Sequence, residues 1–414
     1  MTVITFLGTG NYQPCPYLWE GREIVETPFF QEALVRWLRP ERTLVFVTGR
    51  ADQVNGAPLR DQLARDPSLP AAQFVAIPDG ANPAELREIF ALVAEHIGDG
   101  EDIVFDITHS FRSIPLIVLL VIAYVREAKG ARLLHLLYGA FEARQAGGPA
   151  PVFDLSSFVS LLDWTAACRQ FRQSGDPGAI GALLRGAQNA AWNDAPDHES
   201  LPKLLAGMGT NLEALATAIA VARPHEVRET AAKTLSKLAE IGPEAGRWAA
   251  PFLLLLERAT RSFSDLANPD LRGEFATIRY CVEHRLHLQA ITLLREWVVT
   301  FTATALGFPP LERRDEVEKS LNAAANAITQ QAGGIQGDRT SVPDALDALM
   351  ALPEQKRITE AWVQIRTIRN DVAHCGMRKQ PLKAKRIVSL VERLVAQVGE
   401  WNYPRDEEPA PGSP

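Results

Sequence analysis

Ile103-Val-Phe-Asp106 runs at once into Ile107-Thr-His-Ser-Phe-Arg112 and then into Ile114-Pro-Leu-Ile-Val-Leu-Leu-Val-Ile-Ala-Tyr-Val125, and the fold of the N-terminal half turns on this stretch. A short β-branched and aromatic run ending at an acid reads as a buried strand, and the longer apolar run reads as a helix carried on to Lys129. A strand that passes through a polar turn into a helix is half of a βαβ unit, the building block of a parallel sheet wrapped by helices. Outward from it the pattern repeats, with strands expected at Val3–Leu7, Leu44–Thr48, Phe74–Ile77 and Leu133–Leu137. Helices are expected near Phe29–Leu38, Leu59–Arg65 and Pro83–His96, the last capped by Asn82 with Pro83 at the first helical position.

Beyond Gln145-Ala-Gly-Gly-Pro-Ala-Pro151 the strand signals fade, and from Ser156 to Trp401 the Ala/Leu spacing is helical. The expected architecture is a doubly wound, Rossmann-like α/β domain over 1–150, an all-α connector over 151–267, an all-α bundle over 268–404 and a disordered tail over 405–414. Gln331–Asp338 reads as a loop within the bundle. A length of 414 residues independently calls for two or three domains.

Composition narrows the function classes. The hydrophobic share of 46% and charged share of 22% are those of an ordinary globular protein. A formal net charge of −7 argues against a protein that coats nucleic acid along an open basic face, though not against a local basic cleft. Cys15, Cys168, Cys281 and Cys375 form no C-x-x-C pair, so neither zinc nor a disulfide framework is indicated, and a cytoplasmic location is expected. The N-terminal Met1-Thr-Val-Ile-Thr-Phe-Leu-Gly8 lacks a signal peptide's basic region, and Ile114–Val125 is shorter than the roughly 20 residues of a membrane span.

Two constellations carry chemistry. Strand one runs into Gly8-Thr-Gly-Asn-Tyr12, and strand four into Asp106-Ile-Thr-His-Ser-Phe-Arg112, so both lie outside the carboxyl ends of strands, where parallel sheets bind ligands. Gly8 and Gly10 let a ligand approach the backbone, Thr9, Asn11, Thr108 and Ser110 offer short hydrogen-bonding groups, and Arg112 a contact to phosphate. The same residues also compose a tight turn, an N-cap at Ser110 and a packed His109, and from the residues alone these plainer readings stand. A nicotinamide fingerprint wants a third glycine opening a helix, whereas Gln13-Pro-Cys-Pro16 follows here.

Phe6–Tyr12, Asp106–Arg112 and Tyr138-Gly-Ala-Phe-Glu142 together resemble the CRISPR-associated DxTHG group of CARF proteins, across the first 145 residues. Ser110 stands where that motif usually ends in glycine. The resemblance implies a cyclic oligoadenylate activator, with cyclic tetra-adenylate the family's usual ring, held by Gly8, Thr9, Gly10, Asn11, Tyr12, Thr108, His109, Ser110 and Arg112 in a pocket shared by two copies. It also raises slow cleavage of that activator by the same domain.

In Arg369-Asn-Asp-Val-Ala-His374 an arginine and a histidine are separated by four residues. Arginine binds phosphate and stabilises charge building on it, and histidine moves protons near neutrality. The pair suffices for metal-independent RNA cleavage by the neighbouring 2′-hydroxyl, with Asn370 able to orient either partner. Spacing alone is weak evidence, because Arg279-Tyr-Cys-Val-Glu-His284 shares it and reads as bundle surface. The interior separates them: Asn370 beside Arg369 resembles the R-N-x-x-x-H form of HEPN ribonucleases. Ala290–Trp297 reads as a bundle helix, with Arg295 and Glu296 on a solvated edge, and Cys375 has no role as a nucleophile. The combined resemblance is to type III CRISPR ancillary nucleases of the CARF–HEPN kind. It implies an endoribonuclease acting on single-stranded RNA, without metal or cofactor, as a homodimer or higher oligomer away from membranes. A chemistry-free ligand-responsive regulator and a partner-controlled toxin-type nuclease remain as alternatives.

Overall fold

The chain is described by a computed structural model over residues 1–68, 70–110, 113–194, 201–331, 344–377 and 379–402. It divides into two compact units, Met1–Asp163 and Trp164–Pro414. Arg112, the expected tail over 405–414 and most of the expected loop Gln331–Asp338 lie outside the described residues.

The first unit is α/β. Its strands are β1 (Thr2–Leu7), β2 (Cys15–Leu18), β3 (Val25–Thr27), β4 (Arg42–Thr48), β5 (Gln73–Ile77), β6 (Asp102–Asp106), β7 (Arg132–Gly139) and β8 (Ala150–Asp154). They form one sheet in the order β3-β2-β8-β7-β6-β1-β4-β5. The five expected strands pair in parallel with one another, with β1 between β4 and β6, and β2 also runs parallel to β8. The sheet as a whole is mixed, because β7 pairs antiparallel with β8 and β2 with β3. That corrects the purely parallel expectation. β2, β3 and β8 are short, and Pro16 and Pro151 lie inside two of them, where proline ordinarily argues against a strand.

Every residue of β1 is buried, as a strand covered on both faces must be. Ile4 and Phe6 pack in one cluster with Phe46, Phe105 and the helix Ile114–Lys129. Val3 packs in another with Val104, Leu137 and the helix Phe30–Leu38. The helix Pro83–Glu95 begins as expected, with the Asn82 carboxamide accepting the N–H groups of Ala84 and Glu85 at 2.9 and 3.1 Å. Strands β4 and β5 follow on one side of β1, while β6 and β7 lie on the other. The order therefore reverses between β1 and β6, and the crevice at their carboxyl ends is where such sheets bind ligands.

The second unit is helical, from Gly178–Asp194 through Ala384–Gly399. A single apolar core runs from Trp164 to Trp401. The expected boundary near Asn268 falls between the helices Ala250–Leu266 and Leu271–Glu283, and both contribute to that core through Phe263 and Phe275. Among the described residues no helix is long and apolar enough to cross a membrane.

Candidate functional site

A cavity of about 520 Å³ opens at the switch point of the first unit. Gly8, Thr9, Gly10, Asn11, Tyr12, Thr108, His109 and Ser110 all line it, so the structure brings together every expected ligand residue that it describes. The loops after β1 and β6 touch backbone to backbone: a Cβ on Gly8 would lie 2.7 Å from the His109 carbonyl oxygen and from the Tyr12 hydroxyl. Only glycine fits there. The Tyr12 and His109 rings meet at 4.0 Å.

Beneath them, Asp106 is fully buried and accepts the Thr5 hydroxyl at 2.6 Å and the Thr108 N–H at 2.8 Å. Burial outweighs these bonds and pushes its pKa up to about 6. His109 is held the other way, down to about 4 by burial, so its ring is neutral near pH 7. Its Nε2 accepts the Phe30 N–H at 3.3 Å, which leaves the proton on Nδ1.

Ser110 does not cap the following helix. Its hydroxyl closes its own turn by donating to the Ile107 carbonyl at 2.7 Å, and the helix begins only after Ser113. The Thr108 hydroxyl accepts the Gly139 N–H at 2.8 Å and ties the loop to β7.

Sequence reasoning missed one anchor of this site. Asn55, in a turn of π-helix over Asp52–Gly56, donates to the carbonyls of Gly8 and Gly10 at 2.9 and 3.0 Å. No local signal marks it, because the interaction spans more than forty residues. Tyr138, Phe141 and Glu142 also line the cavity, and only the family resemblance pointed to that segment. The Tyr138 hydroxyl donates to Glu142 at 3.0 Å. None of the described lining residues is a lysine or arginine. Aromatic faces and backbone groups dominate this wall, which suits stacked bases better than bare phosphate.

In the second unit, Arg369 and Asn370 lie on the last turn of the helix Gln355–Ala373, and His374 is its C-cap. All three are exposed. Five residues of helix turn by about 140°, so Arg369 and His374 leave the helix on different sides. The end is a Schellman turn: Cys375, at φ 52°, donates to the Val372 carbonyl, and Gly376 to that of Asp371.

The helix carrying Arg279 ends identically, with His284 as C-cap and Arg285 at φ 63°. Backbone geometry therefore does not separate the two R-x4-H segments. Their surroundings do. His284 packs on Tyr280 with ring centroids 4.4 Å apart, its Nδ1 is buried without a partner, and burial lowers its pKa. Arg279 faces Asp265 at 3.5 Å, and both line a cleft of about 310 Å³ with Arg258 and Arg261. Arg279 is exposed there, as the surface reading expects, whereas His284 is half-buried.

Arg295 and Glu296 are likewise no solvated edge. Arg295 pairs with Glu296 and Glu318 and lies over the Trp362 ring, and Arg314 joins both acids, linking three helices. Among the described residues no group of His, Cys, Asp or Glu is arranged to hold a metal ion.

No protein-family model matches the chain. Among curated proteins it is similar to the CRISPR-associated protein MJ1674 of Methanocaldococcus jannaschii, at 22% identity over 295 residues. The match covers 71% of this chain and 40% of that protein, well under two thirds of the relative's own length.

Proposed function

We propose that this chain is a CRISPR-associated defence ribonuclease of the CARF–HEPN kind, in which the first unit senses a cyclic oligoadenylate and the second cleaves single-stranded RNA. The observation that carries the reading is the convergence of Gly8–Tyr12 and Thr108–Ser110 on one aromatic-walled cavity at the β1/β6 switch point. The similarity to a CRISPR-associated protein supports the CRISPR association within that reading.

In the ligand cavity, Tyr12, His109, Tyr138 and Phe141 supply faces for adenine rings, and neutral His109 offers an Nδ1–H donor. Arg112 is the cation proposed for phosphate. Cyclic tetra-adenylate is the ring the resemblance favours, its symmetry matched by two copies of the unit.

In the nuclease reaction the RNA 2′-hydroxyl oxygen forms a bond to the adjacent phosphorus while the bond to the 5′-oxygen breaks. The 2′ proton is taken up and the leaving 5′-oxygen is protonated, and His374 is the group that moves protons. Arg369 stabilises the charge on phosphorus, and Asn370 orients the partners. The splay of Arg369 and His374 on one helix end suits a cleft completed by a second copy. Activator binding then favours the dimer form in which the two pairs face each other.

The test is to incubate the purified protein with labelled RNA and the tri-, tetra- or hexa-adenylate ring. Cleavage dependent on one ring supports the reading. Cleavage without any ring favours a toxin-type nuclease, and binding without cleavage favours a regulator.

A further inference from the structure

The helix end bearing Arg369 and His374 is followed by the most basic stretch of an acidic chain. Residues 366–391 contain seven lysines and arginines against a single acid, Asp371, in a chain of net charge −7. Asp371 is 1% exposed, and its two carboxylate oxygens accept the Leu382 N–H at 3.2 and 3.3 Å.

Its own carbonyl accepts the Gly376 N–H at 2.9 Å, and the positive φ of Cys375 and Gly376 folds the chain back. Pro381 closes that turn, 3.4 Å from where a Cβ on Gly376 would stand. Asp371 thus ties the returning segment to the helix end from below. Lys379, Lys383, Lys385 and Arg386 are left exposed beside it. Glu392, the next acid along the chain, faces His287 at 3.5 Å instead. Clustered like charges repel one another, and a polyanion relieves that repulsion.

We propose that Lys379, Lys383, Lys385 and Arg386 form a tract that grips the sugar–phosphate backbone of single-stranded RNA beside Arg369 and His374, and that Asp371 is the positioning residue that holds the tract there. The proposal rests on reading that pair as a ribonuclease site. Pairing of flexible cations with phosphate carries little sequence information, so the tract predicts tight but sequence-tolerant binding.

The experiment measures binding of a labelled single-stranded RNA to the full chain carrying His374→Ala, by fluorescence anisotropy across a salt series with cyclic tetra-adenylate present. Adding Lys383→Gln, Lys385→Gln and Arg386→Gln removes three cations. At about 0.7 in the log–log salt slope for each, the slope falls by about 2 and affinity near 0.1 M salt by about 100-fold. A control with Lys203→Gln, Lys233→Gln and Lys319→Gln, exposed lysines of the same unit, stays within about twofold of the parent, since none of them belongs to the tract.

Asp371→Asn, which keeps an acceptor for Leu382, retains most affinity, whereas Asp371→Ala loosens the tract and weakens binding with little change in slope. An unchanged slope in the triple variant, an equal loss in the control, or no RNA binding by the parent overturns the proposal. RNA binding that depends on the tract, in a wild-type protein that never cuts RNA, sinks the ribonuclease reading and leaves the tract standing.

Discussion

Replacing Asp106 by Asn should make the sheet around the first cavity insensitive to pH where the parent is not. Asp106 ends β6 fully buried, and although Thr5 and Thr108 donate to it, the loss of solvent raises its pKa from the ordinary 3.8 to about 6. The folded chain therefore holds this proton more tightly than the unfolded chain does. The resulting stabilisation is complete below pH 3.8 and is lost as pH rises through about 6. The gap between the two values, at about 1.4 kcal/mol per pH unit, amounts to about 3 kcal/mol. Asn has nearly the same shape, its carbonyl can still accept the Thr108 N–H, and it does not titrate. Parent and variant should match near pH 4 and diverge by about 3 kcal/mol in favour of Asn by pH 7. Hydrogen exchange of the β6 amides, corrected for intrinsic rates and followed by mass spectrometry between pH 4 and 8, reads this difference as a protection ratio of roughly 150. Parallel pH profiles for the two proteins would refute the reasoning, since the Asp106 carboxyl would then titrate alike in the folded and unfolded chains.

His374→Ala should abolish RNA cleavage, by roughly 10²–10⁴-fold, with activator binding intact, while His284→Ala should leave it near the parent rate; gel assays with labelled RNA that find His284→Ala to be the dead variant would transfer the chemistry to the cleft with Arg258 and Arg279. Cleavage should persist in excess EDTA and leave 2′,3′-cyclic phosphate ends, and a 2′-deoxy substitution at the scissile position should block it; cutting of that deoxy linkage would rule out attack by the neighbouring hydroxyl. Asn55→Ala, which frees the carbonyls of Gly8 and Gly10, and Arg112→Ala should each weaken cyclic tetra-adenylate binding by one to two orders of magnitude, at about 1–3 kcal/mol for the hydrogen bonding each side chain supplies. Saturating activator should restore cleavage in both, because the helical unit is untouched, and calorimetry showing unchanged affinity would place the activator elsewhere.

The sequence by itself carried the α/β character of the first unit, the helical character of the second and five strands of the eight, because apolar period and turn chemistry are local properties. It also carried eight of the fifteen described cavity residues, six from loops leaving the carboxyl ends of strands, where a parallel sheet binds ligands, and Tyr12 and His109 through the family resemblance. What escaped it depends on partners distant in the chain. β2, β3 and β8 are held by pairing that overrides their short length and prolines. Asn55 acts on a loop more than forty residues away, and nothing in Asp52-Gln-Val-Asn-Gly56 announces it. Arg295 and Glu296 read as surface because a helix pattern cannot show that Glu318 and Arg314 close over them. The two R-x4-H segments differ in sequence at Asn370 but form the same helix end, and their exposure is decided by tertiary packing: His284 is pressed against Tyr280 and Gly175, whereas His374 stays exposed. Spacing sets how a backbone turns, but whether a side chain is desolvated, paired or left open to a substrate is settled by what the rest of the chain brings against it.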